Sequence, residues 1–196
     1  LKGKEMEVRI TFTEPLLGTL SGNKDIAEEF IMSKHPDGPQ EDELHADLPE
    51  GDVEKSTTVF HRKDGQIFLW DYQIKGFFKD ACSMLRRIPD TRSSKLTAYK
   101  KIIDGLIFPA PRMIPIEVVG ELTFTERPLR AQTAKGERIA LARSETVPVG
   151  SSITITVNCL HKKYDKLVKE WLDYGELRGL GQWRNSGMGR FSYKVL

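Results

Sequence analysis

Residues Tyr72–Arg87 read YQIKGFFKDACSMLRR. Ile74, Phe77, Phe78, Ala81, Cys82 and Leu85, continued by Ile88, fall at i, i+3, i+4, i+7, i+8, i+11 and i+14. That is one apolar stripe at helical period. Lys75, Lys79 and Arg86 make a basic row on another face, and Pro89 stops the helix. An amphipathic helix of this kind needs a sheet to cover, and the flanking sequence supplies strands. Met6–Thr13 (MEVRITFT) alternates Met6, Val8, Ile10 and Phe12 with polar neighbours, and Pro15 and Gly18 end it. Thr57–His61 and Gln66–Trp70 flank Lys63-Asp64-Gly65, and Asp-Gly between apolar runs predicts a hairpin.

Downstream, Leu106–Val119 is strand-like but carries Pro109, Pro111 and Pro115, which confines part of it to an edge or bulge. Ser152–Leu160 is a β-branched strand. Lys162–Tyr174 is a helix with Tyr164, Leu167, Val168, Trp171 and Leu172 inward, and Met188–Leu196 closes with a strand. Two further segments carry local structure. Asn23–Lys34 is a short helix capped by Asn23. Gly120–Thr125 and Arg138–Ser144 are arms of a second hairpin around a basic tip of Arg127, Arg130, Lys135 and Gly136. Without insertions the order is strand, helix, strand, strand, helix, strand. The expected fold class is therefore α+β: a ferredoxin-like (RRM-like) antiparallel sheet with two helices, plus hairpin insertions. One domain is expected to span residues 1–196.

Length and composition agree. A chain of 196 residues buries a core without disulfides or metals. Its two cysteines, Cys82 and Cys159, have no metal-like spacing and fit a reducing, cytoplasmic interior. No apolar run approaches the roughly 18 residues of a membrane span. No apolar signal region opens the chain at Leu1, upstream of which an initiator methionine is expected. The net charge of +2 conceals segregation. His35–Ser56 holds eight acids and one base, an exposed acidic insertion of −7 that leaves +9 for the remainder. Tyr72–Lys101 alone holds eight bases and two acids. Such a positive excess points to a polyanionic partner.

The most informative stretch is Gly175–Phe191, GELRGLGQWRNSGMGRF. Arg178, Arg184, Arg190 and Trp183 are woven among Gly175, Gly179, Gly181, Gly187 and Gly189. Glycines let a backbone approach a polyanion and turn its N–H groups outward. Arginines add bidentate phosphate contacts, and a tryptophan stacks on a base. A dinucleotide-binding loop is excluded by order, since it lies between strand and helix, whereas this loop follows a helix and precedes a strand.

The closing GLGQWRNSGMGRF resembles the glycine-rich loop of the RAMP superfamily, the RNA-binding Cas proteins of CRISPR systems, with Met188 where an aromatic is usual. Trp70–Arg87 looks like the segment that opens the first helix of backbone-type members. Ile74-Lys75-Gly76 fits, Lys79 stands where Arg is common, and Asp71-Tyr72 replaces a Gly-Ser turn. Ile103–Ile116 resembles the following strand, with Arg112 as its basic residue. The resemblance implies an RRM-like palm holding single-stranded or guide RNA, a role in antiviral defence, and partners among copies of itself or other CRISPR effector subunits. It implies that residues 120–145 form a thumb-like hairpin. The expected RNA-binding residues are Lys75, Lys79, Arg86, Arg112, Arg127, Arg130, Arg178, Gly179, Gly181, Trp183, Arg184, Gly187, Gly189 and Arg190. No cofactor or metal is expected.

Two other functions stay open at this level. One is a metal-independent endoribonuclease that processes CRISPR RNA, for which a histidine would serve as base. His35 and His45 sit in the acidic insertion, which leaves His61 beside Arg62-Lys63 and His161 beside Lys162-Lys163. The other is a phage protein that binds single-stranded nucleic acid or inhibits a CRISPR complex.

Overall fold

The computed structural model describes residues 4–22, 57–133 and 136–196, with the side chains of all but residue 4 and residues 129–140. The expected helix at Asn23–Lys34 and the acidic stretch His35–Ser56 lie outside the described residues.

The alternation of residues 6–12 builds the centre of the main sheet. Met6, Val8, Ile10 and Phe12 of β1 (Lys4–Phe12) are buried. β1 pairs antiparallel with β11 (Ser152–Cys159) on one side and β12 (Phe191–Val195) on the other. β7 (Ile107–Ala110) adds to β11, for the order β12-β1-β11-β7. Numbered by their place among the main elements, these strands run 4-1-3-2, the order of two interleaved βαβ halves. The fold is α+β and ferredoxin-like, as the element order predicts.

Two helices cover one face. Helix α1 (Asp71–Leu85) buries Ile74, Phe77, Phe78, Ala81, Cys82 and Leu85. The stripe stops there: the helix ends one turn before Pro89, so Ile88 is 51% exposed rather than buried. α1 starts cleanly because Gln73 Oε1 accepts from Trp70 N at 2.8 Å, and Asp71 puts a carboxylate in the first turn. Helix α3 (Asp165–Arg178) buries Leu167, Val168, Trp171 and Leu172. Phe78 meets Trp171 at 5.4 Å between centroids, and Phe77 meets Phe191 edge-on at 5.7 Å. Gly175 is the last-turn residue that lets those rings in. A Cβ there would lie 2.2 Å from Phe191 Cζ, so this glycine belongs to the packing of α3 and not to the loop that follows.

Helix α2 (Tyr99–Leu106) has no counterpart in the sequence expectations. It precedes the strand-like run and overlaps it only at Leu106, and its N-cap is Ala98 in the left-handed region rather than a capping side chain. The strand-like run beyond it divides into β7 and β8 (Met113–Pro115).

The Asp-Gly hairpin forms between β5 (His61–Lys63) and β6 (Gln66–Trp70), with Asp64 at φ 51° and Gly65 at φ 77°. Both positive values match the two-residue turn that follows strand twist. β8 joins β6 to complete a three-stranded sheet. Thr57–Val59 (β4) does not belong to this hairpin. It runs parallel to β10 (Gly136–Val147) in another sheet that also holds β2 (Leu16–Leu17), β3 (Leu20–Ser21) and β9 (Thr123–Thr133). β9 and β10 pair from Thr123↔Thr146 to Thr133↔Gly136. These arms are longer than expected, so Arg127 and Arg130 are arm residues opposite Ala142 and Ile139, not tip residues.

Candidate nucleic-acid interface

The glycine loop is shaped first by its own crossing. As α3 ends, Gly179 takes φ 82° and its N–H donates to Gly175 O at 2.8 Å. Leu180 N donates to Gly189 O at 2.9 Å, and Gly189 N donates to Pro15 O at 2.8 Å. The two sides of the loop are therefore pressed together. A Cβ on Gly189 would stand 1.9 Å from Leu180 O, and one on Gly179 would stand 2.4 Å from Met188 O. At these two positions the missing side chain serves closure of the chain on itself, not approach to a ligand. Gly187, at φ 85°, faces space occupied only by the Arg190 guanidinium.

The arginines of the loop are shared with α1. Arg184 Nη1 donates to Asp80 Oδ2 at 2.7 Å. Arg178 Nε lies 3.5 Å from the same oxygen, and its Nη1 donates to Asn185 Oδ1 at 2.7 Å. One carboxylate thus holds two partly exposed guanidinium groups, an excess of positive charge. Arg190 is exposed and has no polar side-chain partner among the described residues. Asp80 is the functional residue that sequence reasoning missed. In the sequence it is one acid on a basic helix, 104 positions from Arg184, and no spacing rule connects them.

Gln182 and Trp183 tie the loop to the hairpin base. Gln182 Nε2 donates to Thr58 Oγ1 at 2.7 Å, to Ser144 Oγ at 3.1 Å and to Gly18 O. Arg127 is 8% exposed, donates from Nη2 to Gln182 Oε1 at 3.1 Å, and lies 4.8 Å over the Trp183 ring. Burial lowers its pKa. The side chain of Arg130 lies outside the described residues.

The basic row on α1 faces α2. Lys79 Nζ pairs with Asp104 Oδ1 at 2.5 Å, and Lys75 Nζ donates to Asp104 O at 3.1 Å while lying 4.6 Å over Phe108. Burial lowers the Lys75 pKa, opposed by the nearby carboxylates. The basic row is thus shared with α2 and β7. Arg86 lies 5.0 Å over Tyr99, and Arg112 Nη1 donates to Asp71 Oδ1 at 3.2 Å beside the Trp70 ring. Because Lys79 and Asp104 are both partly exposed, their pair contributes at most about 1 kcal/mol. Lys79→Glu should therefore lower stability by roughly that amount, and Asp104→Lys in the same chain should restore it, read by urea denaturation as a double-mutant cycle. Simple additivity of the two losses would refute the coupling.

The two candidate histidines differ in exposure. His61 is 4% exposed, with ring centroids 5.8 Å from Phe68 and 5.7 Å from Trp70. Burial depresses its pKa to about 4, and its Nδ1 has no hydrogen-bond partner among the described residues. His161 is exposed, and its Nδ1 accepts from Lys163 N at 3.1 Å, capping the turn Lys162–Tyr164. Among the described residues no group of three His, Cys, Asp or Glu side chains is placed to hold a metal ion. Among them, too, no helix is long and apolar enough to cross a membrane.

A cleft of ≈230 Å³ lies where these elements meet, lined by Gln73, Gly76 and Phe77 of α1, Gly181 and Arg184 of the loop, and Thr19. Gly76 is exposed, and a Cβ there would meet nothing within 4 Å. The two stretches that carry the family resemblance, about a hundred residues apart in sequence, thus share one cleft.

No family model matches the sequence, and no curated protein matches it. Among solved structures it is similar to a chain of the Type III-B Cmr-beta complex bound to cognate target RNA. The match has a TM-score of 0.52 and 10% sequence identity, and covers 98% of this chain and 61% of that one. The two chains share an α+β fold. At this identity the likeness is one of fold, and the chain spans about three fifths of the length of its neighbour.

Proposed function

We propose that this chain is a non-catalytic, RNA-binding subunit of RAMP type that holds single-stranded or guide RNA across the glycine loop and the N-terminal half of α1. The observation that carries this reading is the shared cleft, with Gly76 on one wall and Gly181 and Arg184 on the other. The exposed Gly76 gives a phosphate chain close access to backbone. Arg178, Arg184 and Arg190 bring three positive charges to the loop against the single carboxylate of Asp80. The non-catalytic part rests on the histidines: His61 is enclosed among aromatic rings, and the Nδ1 of His161 is engaged by a backbone N–H.

Fluorescence anisotropy of labelled single-stranded RNA over a salt series tests the site. Replacing Arg178, Arg184 and Arg190 together by alanine should reduce the slope of log K against log salt by about 2, at roughly 0.7 per lost phosphate contact. An unchanged slope in a folded variant removes the loop from the interface. Incubation with hairpin RNA in EDTA should leave the RNA intact, and a 2′,3′-cyclic phosphate product would overturn the non-catalytic assignment.

The reading extends to assembly. The base of the β9–β10 ribbon is held by β2 and β4, which pair with β10 only at residues 143–147. Beyond that, β9 and β10 pair only with each other among the described residues. A two-stranded ribbon is marginal alone, which suits a thumb that is ordered by RNA or by a second copy. Light scattering should show species that grow with RNA length, and one protomer per RNA at every length would refute assembly.

A further inference from the structure

At the far end of α1 the chain makes a second basic groove that the loop site does not use. The turn after α1 is held rigidly against α3. Glu170 of α3 accepts from Arg92 N at 2.7 Å, Ser93 N at 3.0 Å and Ser93 Oγ at 2.5 Å. Trp171 Nε1 donates to Ser93 Oγ at 3.0 Å, and Thr91 Oγ1 donates to Leu85 O at 2.9 Å. Against this turn stand two adjoining hollows of ≈640 and ≈460 Å³, both lined by Arg92 and Glu170 and together termed the groove. Lys95 and Lys163 line one half, and Lys166 and Lys169 line the other.

All five cations are exposed, and none has an acidic partner among the described residues. Of the three carboxylates in the lining, Glu170 is turned onto the backbone of the turn, and Asp173 accepts from Tyr193 Oη at 2.6 Å. Asp90 is the third. The groove therefore presents exposed cations on a floor fixed by the Glu170 hydrogen bonds. Four of the five are lysines, which bind phosphate as point charges without the directional geometry of the arginine fork, as suits contact with a backbone that is not read base by base. The lining also offers no free aromatic face, because Tyr164 is buried with Lys163 Nζ 4.9 Å above its ring.

We propose that this groove is a second phosphodiester contact that takes the backbone of single-stranded RNA without reading its bases. It rests on the RNA-binding reading and adds a separate surface. Lys166 and Arg178 lie at opposite ends of α3, about 18 Å apart at 1.5 Å per residue, so one strand of moderate length can touch both sites.

The test compares two triple variants of the full chain, Lys95→Ala/Lys163→Ala/Lys166→Ala and Arg178→Ala/Arg184→Ala/Arg190→Ala, on labelled 30-mer polyuridine over a salt series. The groove variant is expected to lose about 2 units of salt slope by itself, and the two losses are expected to add. Slope lost only in the loop variant overturns the groove and leaves the RNA reading intact. No binding of the 30-mer by the unmodified chain overturns both. Loss of poly-glutamate binding with RNA binding unchanged also overturns the proposal, in favour of an acidic protein partner. Should the groove triple fail to fold, photocrosslinking of 4-thiouridine RNA to the unmodified chain decides. Adducts on residues 90–96 or 161–170 support the groove, and adducts confined to residues 176–191 refute it.

Discussion

Gly189→Ala should destabilise the protein by about 3 kcal/mol or more, while Gly187→Ala, two residues away, should cost only about 1–2 kcal/mol. Both positions have positive φ, 71° and 85°, so a side chain at either meets the same local penalty. The difference is in what surrounds them. The added Cβ at 189 falls 1.9 Å from Leu180 O, a backbone atom. It cannot be moved aside cheaply, because Leu180 N and Gly189 N both take part in the hydrogen bonds that close the loop. At 187 the nearest atom is Arg190 Cζ at 3.5 Å, the end of a flexible side chain. Urea denaturation of the two variants measures the contrast. Equal losses would mean that the loop does not cross itself tightly.

Acid should destabilise the protein through His61. In the unfolded chain the imidazole titrates near 6.5, and in the folded chain burial holds it at about 4. Between those values the unfolded state binds a proton that the folded state does not, so stability falls as pH falls. The slope reaches at most about 1.4 kcal/mol per pH unit, and the accumulated loss near pH 4 is about 3 kcal/mol. Carboxylates titrate in the same range, so the comparison that isolates His61 is with His61→Phe. Phenylalanine keeps the contacts with Phe68 and Trp70 and gives up no hydrogen bond at Nδ1, which has none among the described residues. Its stability should match the original chain above pH 7 and exceed it increasingly below pH 6.5. Parallel stability curves for the two proteins would show that His61 is not the acid-sensitive group.

Much of the fold was legible because its elements are set by local pattern. The stripe of α1, the inward residues of α3, the alternation of β1 and the Asp64-Gly65 turn each depend on neighbours within a few positions. The misses have physical causes. α2 is eight residues long and starts without a capping side chain, so it lacks the signals that announce a helix. Thr57–Lys63 divides between two sheets, with β4 ending at Val59 and β5 starting at His61, and apolar patterning does not record which strand a segment pairs with. The role of Gly175 looked like that of the loop glycines because composition is blind to the end of a helix. Only the position of Phe191 shows that it is a packing residue.

By itself, then, the sequence determined β1, α1, the Asp64-Gly65 turn, α3 and the glycine loop between the last helix and the last strand, because periodicity and backbone preference act over short distances along the chain. Tertiary structure alone decided which charges are free. The Asp80 carboxylate takes up Arg184 and Arg178, and Asp104 takes up Lys79 by its carboxylate and Lys75 by its backbone carbonyl, while Arg190 and the groove cations Arg92, Lys95, Lys163, Lys166 and Lys169 keep no carboxylate among the described residues. Electrostatic attraction falls off with separation in space, not along the sequence, so a charge run could be counted from the residues but not sorted into paired and unpaired members until the chain was folded.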